Sequence, residues 1–326
     1  MNLLITGGAG FIGSHLIRHI IDRPEVQKLV NLDALTYAGN LDHLVGIHGQ
    51  HLKYTFEQVD LRERAAVHQC VRQHQITHVI HLAAESHVDR SIQNATPFME
   101  TNVLGTHHLL DACRAAWGNE NSGHRFIHVS TDEVYGSLGP SDPPFTEESP
   151  LLPNSPYSAS KAAADCVVRS YHSTYGFPAI ITRSCNNYGP HQHPEKLIPT
   201  VLACLRDRRP IPVYGDGRQI REWLHVSDHA EALWQVLLKG RAGEVYNIGS
   251  GQEWQNVELV EQLCDLWDEE HPAGTASRVL IDFVIDRPGH DWRYALNVSK
   301  ITESIGWRPE IGCVKNAWLA GKGKFG

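Results

Sequence analysis

The sequence of 326 residues predicts an α/β fold, in which a doubly wound parallel sheet is followed by a smaller C-terminal cap. Strand-like and helical segments alternate through about residue 180, and such βα alternation is typical of a parallel sheet. Glycine-rich or polar segments follow the strand-like ones, at the sheet edge where parallel folds bind ligands. Loops rich in glycine and proline recur beyond this point, which predicts a cap interleaved with the last sheet strands.

The first strand is predicted at residues 3–5, and an apolar helix is predicted at 11–21. Between them Gly7, Gly10 and Gly13 form a G-x-x-G-x-x-G pattern. Glycines let the backbone approach a pyrophosphate, whose negative charge is favoured at the helix N-terminus. The alternative is a structural turn without a ligand.

The second strand, at residues 28–32, ends at Asp33. An acid about 20 residues beyond the glycine turn is typical of dinucleotide sites, where it binds the adenosine ribose. No arginine follows Asp33 directly, so the sequence favours NAD over NADP. The order of strand, glycine turn, helix, strand and acid is much more specific than the glycines alone.

Further strands are predicted at residues 53–58, 77–82 and 125–130, and a long helix is predicted at 96–117. In a parallel sheet, the segments that follow these strands meet at one edge. We therefore expect residues 7–13, Asp33, residues 83–87 and residues 131–133 to face a common site.

A second helix is predicted to begin at Pro156, with Ser155 as its N-cap. Tyr157 and Lys161 lie four residues apart, on the same helical face. The free tyrosine pKa is about 10, and a nearby ammonium group lowers it, so the pair can deprotonate an alcohol during hydride transfer. An ordinary surface pair is the alternative.

Two acids, Asp132 and Glu133, follow Thr131 at the end of the strand before this helix. Adjacent carboxyl groups can remove a proton from one carbon and donate one to a leaving hydroxyl on the next. A simple dehydrogenase needs only Tyr157 and Lys161. An enzyme that oxidises a sugar in order to expel water needs both sets.

Composition excludes several classes of function. The formal charge of −8 argues against nucleic-acid binding, and no apolar run approaches the length of a membrane span. Seven cysteines without a C-x-x-C pair predict reduced thiols in a cytoplasmic protein. The 21 histidines lack zinc-site spacing, so we expect no metal.

These features resemble the extended short-chain dehydrogenase/reductase family, and within it the nucleotide-sugar 4,6-dehydratases. The resemblance runs from the first strand to about residue 309. It rests on LTYAGNL at 35–41, AESHVD at 84–89, STDEVYG at 130–136, YSASK at 157–161, NNYGP at 186–190, PEKLIP at 194–199 and DRPGHD at 286–291. The Thr-Asp-Glu string matters most, because related 4-epimerases lack the acidic pair.

The resemblance implies a division into an NAD-binding Rossmann-type domain, residues 1–183, and a substrate-binding portion, residues 184–326. Implied cofactor contacts are Gly7, Gly10, Phe11, Ile12, Gly13, Asp33, Leu35, Thr36, Asp60, Leu61, Leu82, Ala83, Ala84, Thr101, Tyr157, Lys161 and Asn187. Implied substrate contacts are Ser86, Thr131, Asn186, Lys196, Leu197, Pro212, Tyr214, Arg221, Asn247, Arg287 and His290. The implied catalytic residues are Thr131, Asp132, Glu133, Tyr157 and Lys161.

The implied reaction oxidises C4 of dTDP-glucose, eliminates water across C5–C6 and returns the hydride to C6. Alternatives are the same reaction on a UDP-, GDP- or CDP-hexose, or 4-epimerisation of a nucleotide sugar. Relatives form dimers through the helices after residue 96 and around Tyr157, so we also expect a homodimer.

Overall fold

The computed structural model describes residues 1–118, 123–272, 274–312 and 314–319. The strands are β1 Asn2–Thr6, β2 Lys28–Asp33, β3 Tyr54–Gln58, β4 His78–His81, β5 Arg125–Thr131, β6 Ala179–Ser184, β7 Asn186–Tyr188, β8 Ile211–Tyr214, β9 Ile220–His225, β10 Val245–Ile248, β11 Glu253–Gln255 and β12 Ile281–Val284. The α-helices are α1 Phe11–Ile20, α2 Arg64–Gln73, α3 Val88–Gln93, α4 Thr96–Phe98, α5 Thr106–Trp117, α6 Pro156–Tyr175, α7 Leu197–Asp207, α8 Val226–Lys239, α9 Asn256–Glu270, α10 Ser299–Ile305 and α11 Val314–Leu319.

Seven parallel strands form the main sheet, in the order β10-β6-β5-β4-β1-β2-β3. Helices cover both faces, because α1 and α8 bury one apolar cluster and α2, α5 and α6 bury another. The strand order reverses between β1 and β4, the position at which such sheets bind nucleotides. The predicted fold class is confirmed.

The second half of the chain contributes both to the main sheet and to the cap. Strand β10 pairs with β6 at the edge of the main sheet, and α8 packs against α1. The strands β7, β9 and β11 form a small sheet, while β8 pairs with β12. Helices α7 and α9 bury a separate apolar cluster with these strands, and this cluster is the core of the cap.

Helix α6 begins as its sequence predicts. The Ser155 hydroxyl accepts the Ser158 N–H, and the Ser158 hydroxyl accepts the Ser155 N–H, both at 3.0 Å. This reciprocal capping fixes the first turn of α6, which carries Tyr157.

The predicted helix at 96–117 is interrupted. A π-helical segment, Met99–Gly105, lies between α4 and α5. Its wide turn is held by Asn102, which accepts the Glu85 N–H at 2.8 Å and donates to the Ser160 hydroxyl at 2.8 Å. These contacts tie the segment to the loop after β4 and to α6, so tertiary hydrogen bonds override the local helical pattern.

None of the helices in the described part of the chain combines the length and the apolarity that a bilayer crossing requires.

Candidate active site

A cavity of about 770 Å³ lies where the carboxyl edge of the main sheet meets the cap. Both halves of the chain line it. The structure brings these predicted residues together in its wall: Gly7, Gly10, Phe11, Ile12, Gly13, Asp33, Thr36, Asp60, Leu61, Leu82, Ala83, Ala84, Ser86, Thr101, Thr131, Glu133, Tyr157, Lys161, Asn186, Asn187, Lys196, Arg221 and Arg287.

The glycine turn forms a close-packed floor at one end of the cavity. Gly7 has a φ of 72°, and a Cβ there would lie 2.8 Å from the backbone of Ala83. A Cβ on Gly13 would overlap the carbonyl oxygen of Gly7. Because Gly10 N-caps α1 without a side chain, the first amides of the helix stay open to an anion in the cavity.

Asp33 is positioned by backbone amides beside this turn. Its carboxylate accepts the N–H of Ala9 at 2.9 Å and that of Leu35 at 2.8 Å. Burial raises the pKa of Asp33, and these two hydrogen bonds oppose the shift. Leu35 lies outside the cavity wall and its amide orients Asp33, so its contact with the cofactor stays a prediction.

Lys161, on α6, is a buried residue of the cavity wall. Its ammonium group donates to the Val129 carbonyl at 2.8 Å. Burial lowers the pKa of Lys161 to about 8, and the charge of Asp165 opposes the shift.

Tyr157 departs from the predicted direction of its pKa. Burial raises the pKa of Tyr157, the carboxylates of Glu133 and Asp132 raise it further, and a hydrogen bond with Thr131 opposes them. The expected lowering by Lys161 is outweighed, because α6 directs the phenol toward the acidic pair as well as toward the cavity. These surroundings favour the protonated form of the phenol.

The two adjacent acids have different surroundings. Burial, Glu133 and Glu222 raise the pKa of Asp132 well above its ordinary value. Burial also raises the pKa of Glu133, but Arg287, Arg221 and Lys196 oppose the shift. The higher pKa favours the protonated form of Asp132, which suits a proton donor. The cations near Glu133 favour its ionised form, which suits a base.

Three cations reach the cavity from the cap. Lys196 donates to the Ser86 carbonyl at 3.2 Å, and Arg221 donates to the Asp291 carbonyl at 2.9 Å. Arg287 lies 3.6 Å from Asp89, a longer contact than a direct charged hydrogen bond. Burial lowers the pKa values of Lys196 and Arg221, and the charge of Glu133 opposes both shifts. Ammonium and guanidinium groups brought together in this way could bind a diphosphate.

Several predicted residues lie outside the cavity wall. They are Asp132, Leu35, Leu197, Pro212, Tyr214, Asn247 and His290. Asp132 is only 1% exposed, next to the two wall residues Thr131 and Glu133. The Tyr214 hydroxyl lies 3.5 Å from Asp89, which also contacts Arg287, and His290 pairs with Asp286 at 2.6 Å.

Asn247 lies outside the cavity wall and makes hydrogen bonds inside the protein. Its side-chain oxygen accepts the Tyr135 hydroxyl at 2.8 Å, and its amide group donates to the carbonyls of Phe145 at 3.1 Å and Asn297 at 3.4 Å. The residue is fully buried. Both ends of its side chain are therefore engaged inside the protein, and the substrate contact of Asn247 stays a prediction.

The wall residues that the sequence argument missed include Tyr37, Glu195 and Tyr294. Arg90 lies 3.9 Å above the ring of Tyr37, and Arg221 lies 4.3 Å above that of Tyr294. Tyr37 and Glu195 lie inside motif strings already quoted, so their neighbours were a usable signal. Tyr294 follows the last string by three residues, and no local pattern marks it.

Within the described ranges, no group of three or more histidine, cysteine or acidic residues has an arrangement that could hold a metal ion.

Comparison with known proteins identifies the family. The model of the family described as GDP-mannose 4,6 dehydratase matches residues 4–315. The dTDP-glucose 4,6-dehydratase of Neisseria meningitidis serogroup B is 52% identical over 315 residues, which cover 94% of this chain and 88% of that protein. The dTDP-glucose 4,6-dehydratase of Salmonella typhimurium is 49% identical and covers 95% of this chain and 88% of its own.

Solved structures agree. DesIV, a dTDP-glucose 4,6-dehydratase from Streptomyces venezuelae solved with NAD bound, superposes with a TM-score of 0.90 at 45% identity, covering 99% of this chain and 96% of that one. A UDP-glucose 4-epimerase of Thermus thermophilus superposes with a TM-score of 0.82 at 28% identity, covering 96% and 95%. The chain belongs to the matched dehydratase family, within the extended short-chain dehydrogenase/reductases.

The raised pKa of Asp132 predicts a pH-dependent stability. The carboxyl group ionises near its ordinary pKa of 3.8 when unfolded and at a much higher pH when folded. Between these values the folded state holds one more proton, so the stability contributed by Asp132 is full below the unfolded pKa and is lost as the pH rises. The free energy of unfolding of Asp132→Asn, relative to the wild type, should therefore increase as the pH rises above about 4 in denaturant titrations.

Asp282→Asn is the matched control, because Asp282 is exposed on β12. Its stability relative to the wild type should not change with pH. A pH-independent difference for Asp132→Asn would contradict the raised pKa.

Proposed function

We propose that this member of the family is an NAD-dependent dTDP-glucose 4,6-dehydratase, a hydro-lyase that forms dTDP-4-keto-6-deoxyglucose. The observation that carries the proposal is one cavity whose wall combines Tyr157 and Lys161 with Glu133, next to the buried Asp132. The fold alone does not discriminate, because epimerases share it. The acidic pair would have no task in an epimerase.

The residues present fit NAD. The glycine floor leaves room for a pyrophosphate at α1, and Asp33 presents a fixed carboxylate for ribose hydroxyls. Arg62 also lines this end, but Asp60 binds its guanidinium group at 2.7 Å, which leaves it poorly placed for the extra phosphate of NADP. When bound, NAD supplies the acceptor for the C4 hydride and returns that hydride to C6.

In the oxidation of C4, Tyr157 accepts the proton of the C4 hydroxyl while Thr131 holds the same oxygen. The raised pKa of Tyr157 means that the phenol must lose its own proton before this step. The ammonium group of Lys161 supplies positive charge below the site and favours that loss.

Elimination follows because the C4 ketone makes the C5 hydrogen acidic. Glu133 removes this proton, and Asp132 protonates the C6 hydroxyl, which leaves as water. After the hydride reaches C6, Glu133 returns its proton to C5. The proton that Tyr157 took from the C4 hydroxyl passes to solvent, and Asp132 regains from solvent the proton that it gave to the leaving water, so both residues return to their starting states. The three cap cations hold the diphosphate, so the glucose ring is presented to both pairs.

Variants should separate the two half-reactions. Tyr157→Phe removes the base for oxidation, so substrate should not reduce bound NAD. Glu133→Gln and Asp132→Asn retain that base and should lose about 10²–10⁴-fold in turnover, yet still accumulate enzyme-bound NADH. Single-turnover absorbance measures the NADH, and chromatography measures the product.

Normal product formation by Glu133→Gln would exclude a catalytic role for the acidic pair. If this variant gave neither product nor NADH, Glu133 would serve substrate binding or oxidation instead.

A substrate panel tests the nucleotide preference. The dTDP-glucose dehydratase relatives support the highest kcat/KM for dTDP-glucose over UDP-, GDP- and CDP-hexoses. The expected product is a base-sensitive 4-keto sugar without net NADH. Equal turnover of a second nucleotide sugar would contradict the preference for thymidine. A galactose isomer as the product would show that the reaction is 4-epimerisation and not dehydration.

We propose that the protein is a homodimer whose contact is formed by α5, α6 and the π-helical segment. Leu104 is 53% exposed and Met99 is 39% exposed on this segment, beside the partly exposed Val167 of α6. A second copy that brought the same helices together would cover these apolar side chains.

Leu104→Arg should place a charge in this contact and shift the protein toward monomer, as measured by light scattering at micromolar concentrations. Val279→Arg is the control, since Val279 is 68% exposed in the cap. A wild-type protein that is already monomeric would contradict the dimer.

The cysteines support a reducing compartment such as the cytoplasm. The six cysteines that the structure describes are free thiols, and all except Cys166 are buried.

A further inference from the structure

A buried ionic cluster lies one helical turn beyond Lys161 on α6. Asp165, which is 2% exposed, accepts from the Arg183 guanidinium group of β6 at 2.9 Å. The His128 imidazole of β5 lies 3.4 Å from its other oxygen. The mechanism above gives none of these three side chains a task.

Lys161 and Asp165 face the same part of the sheet. Lys161 donates to the carbonyl of Val129, and Val129 follows His128 directly on β5. A carbonyl oxygen accepts a hydrogen bond but does not neutralise an ammonium group. A buried cation without a counter-charge loses its proton or its position.

We propose that Asp165 is a positioning residue, which supplies the counter-charge that holds Lys161 as an ammonium group below the site of C4 oxidation. This inference rests on the proposed function, because it assigns the charge on which the oxidation half-reaction depends. Asp165 acts through Lys161 and lies outside the cavity wall.

Charged or titratable groups face this region from every element packed around Lys161. They are Tyr157 and Asp165 of α6, His128 of β5, His81 of β4, Arg183 of β6, and Asp132 and Glu133 of the turn after β5. Burial lowers the pKa of His128 to about 4 and that of His81 well below its ordinary value, so both imidazoles are neutral near pH 7.

Asp165 itself stays ionised in this setting. Burial alone would raise its pKa, but the neighbouring His128 imidazole and the charge of Arg183 lower it. The acids of the turn after β5 show the opposite direction, since the pKa values of both Asp132 and Glu133 are raised. Asp165 is therefore the better counter-charge for Lys161 near neutral pH.

The test compares the pH dependence of three variants. Asp165→Asn removes the counter-charge, so Lys161 should lose its proton at a lower pH, and the alkaline limit of substrate-driven NADH formation should move down by about one pH unit or more. Arg183→Met breaks the same ion pair but keeps the Asp165 carboxylate, so its alkaline limit should not move down.

The double variant Asp165→Asn/Arg183→Met controls for the loss of stability that a single unpaired charge would cause. Removing both partners of a buried ion pair is often nearly neutral for stability. It should fold and keep the lowered alkaline limit. Asp165→Glu, which restores a carboxylate, should move the limit back toward the wild type. A purely structural Asp165 would instead give wild-type pH behaviour in the double variant, or the same shift in Arg183→Met as in Asp165→Asn.

A second measurement does not depend on turnover. The rate at which acetic anhydride acetylates Lys161, followed by peptide mass spectrometry across pH, reports the ionisation of that amine. Its midpoint should be lower in Asp165→Asn, and an unchanged midpoint would overturn the proposal. If the wild type formed no NADH from any nucleotide sugar while the midpoint still shifted, the proposed function would fail but the counter-charge would stand.

Discussion

Burial of ionisable groups between the sheet edge and the cap is the constraint on which this site depends. Low polarity favours the uncharged form of every group. It raises the pKa values of Asp132 and Tyr157 and lowers those of Lys161 and Lys196. Identical burial would make the two acids alike. Local charges separate them, because Asp132 has carboxylate neighbours and Glu133 has cationic ones.

The fold explains why these neighbours meet. Parallel strands end at one edge, so the glycine turn, Asp33 and the Thr131–Glu133 segment converge without any long-range motif. The cap then adds Lys196, Arg221 and Arg287 from segments far apart in sequence. The acidic chain thus concentrates its cations where an anionic substrate would bind, although its overall charge is −8.

Features set by local geometry could be predicted from sequence. The capping of α6, the glycine floor and Asp33 follow from residue type and spacing. Features set by tertiary contacts could not. The π-helical segment depends on Asn102 reaching two other elements, and the side chain of Asn247 is engaged by residues about 100 positions away. The pKa of Tyr157 depends on burial and on carboxylates, which outweigh the lysine in its own motif.

The two catalytic pairs are held by different elements, and this separation explains how one fold serves different reactions. Tyr157 and Lys161 are fixed by the capped first turns of α6 and by β5. Asp132 and Glu133 belong to a short turn that ends at Gly136, where φ is 89° and a Cβ would overlap the Leu152 carbonyl oxygen. Changing the acids of that turn leaves α6 and the glycine floor intact. Under the proposed mechanism, redox chemistry can therefore be shared with the 4-epimerases, while elimination would depend on two side chains at the end of one strand.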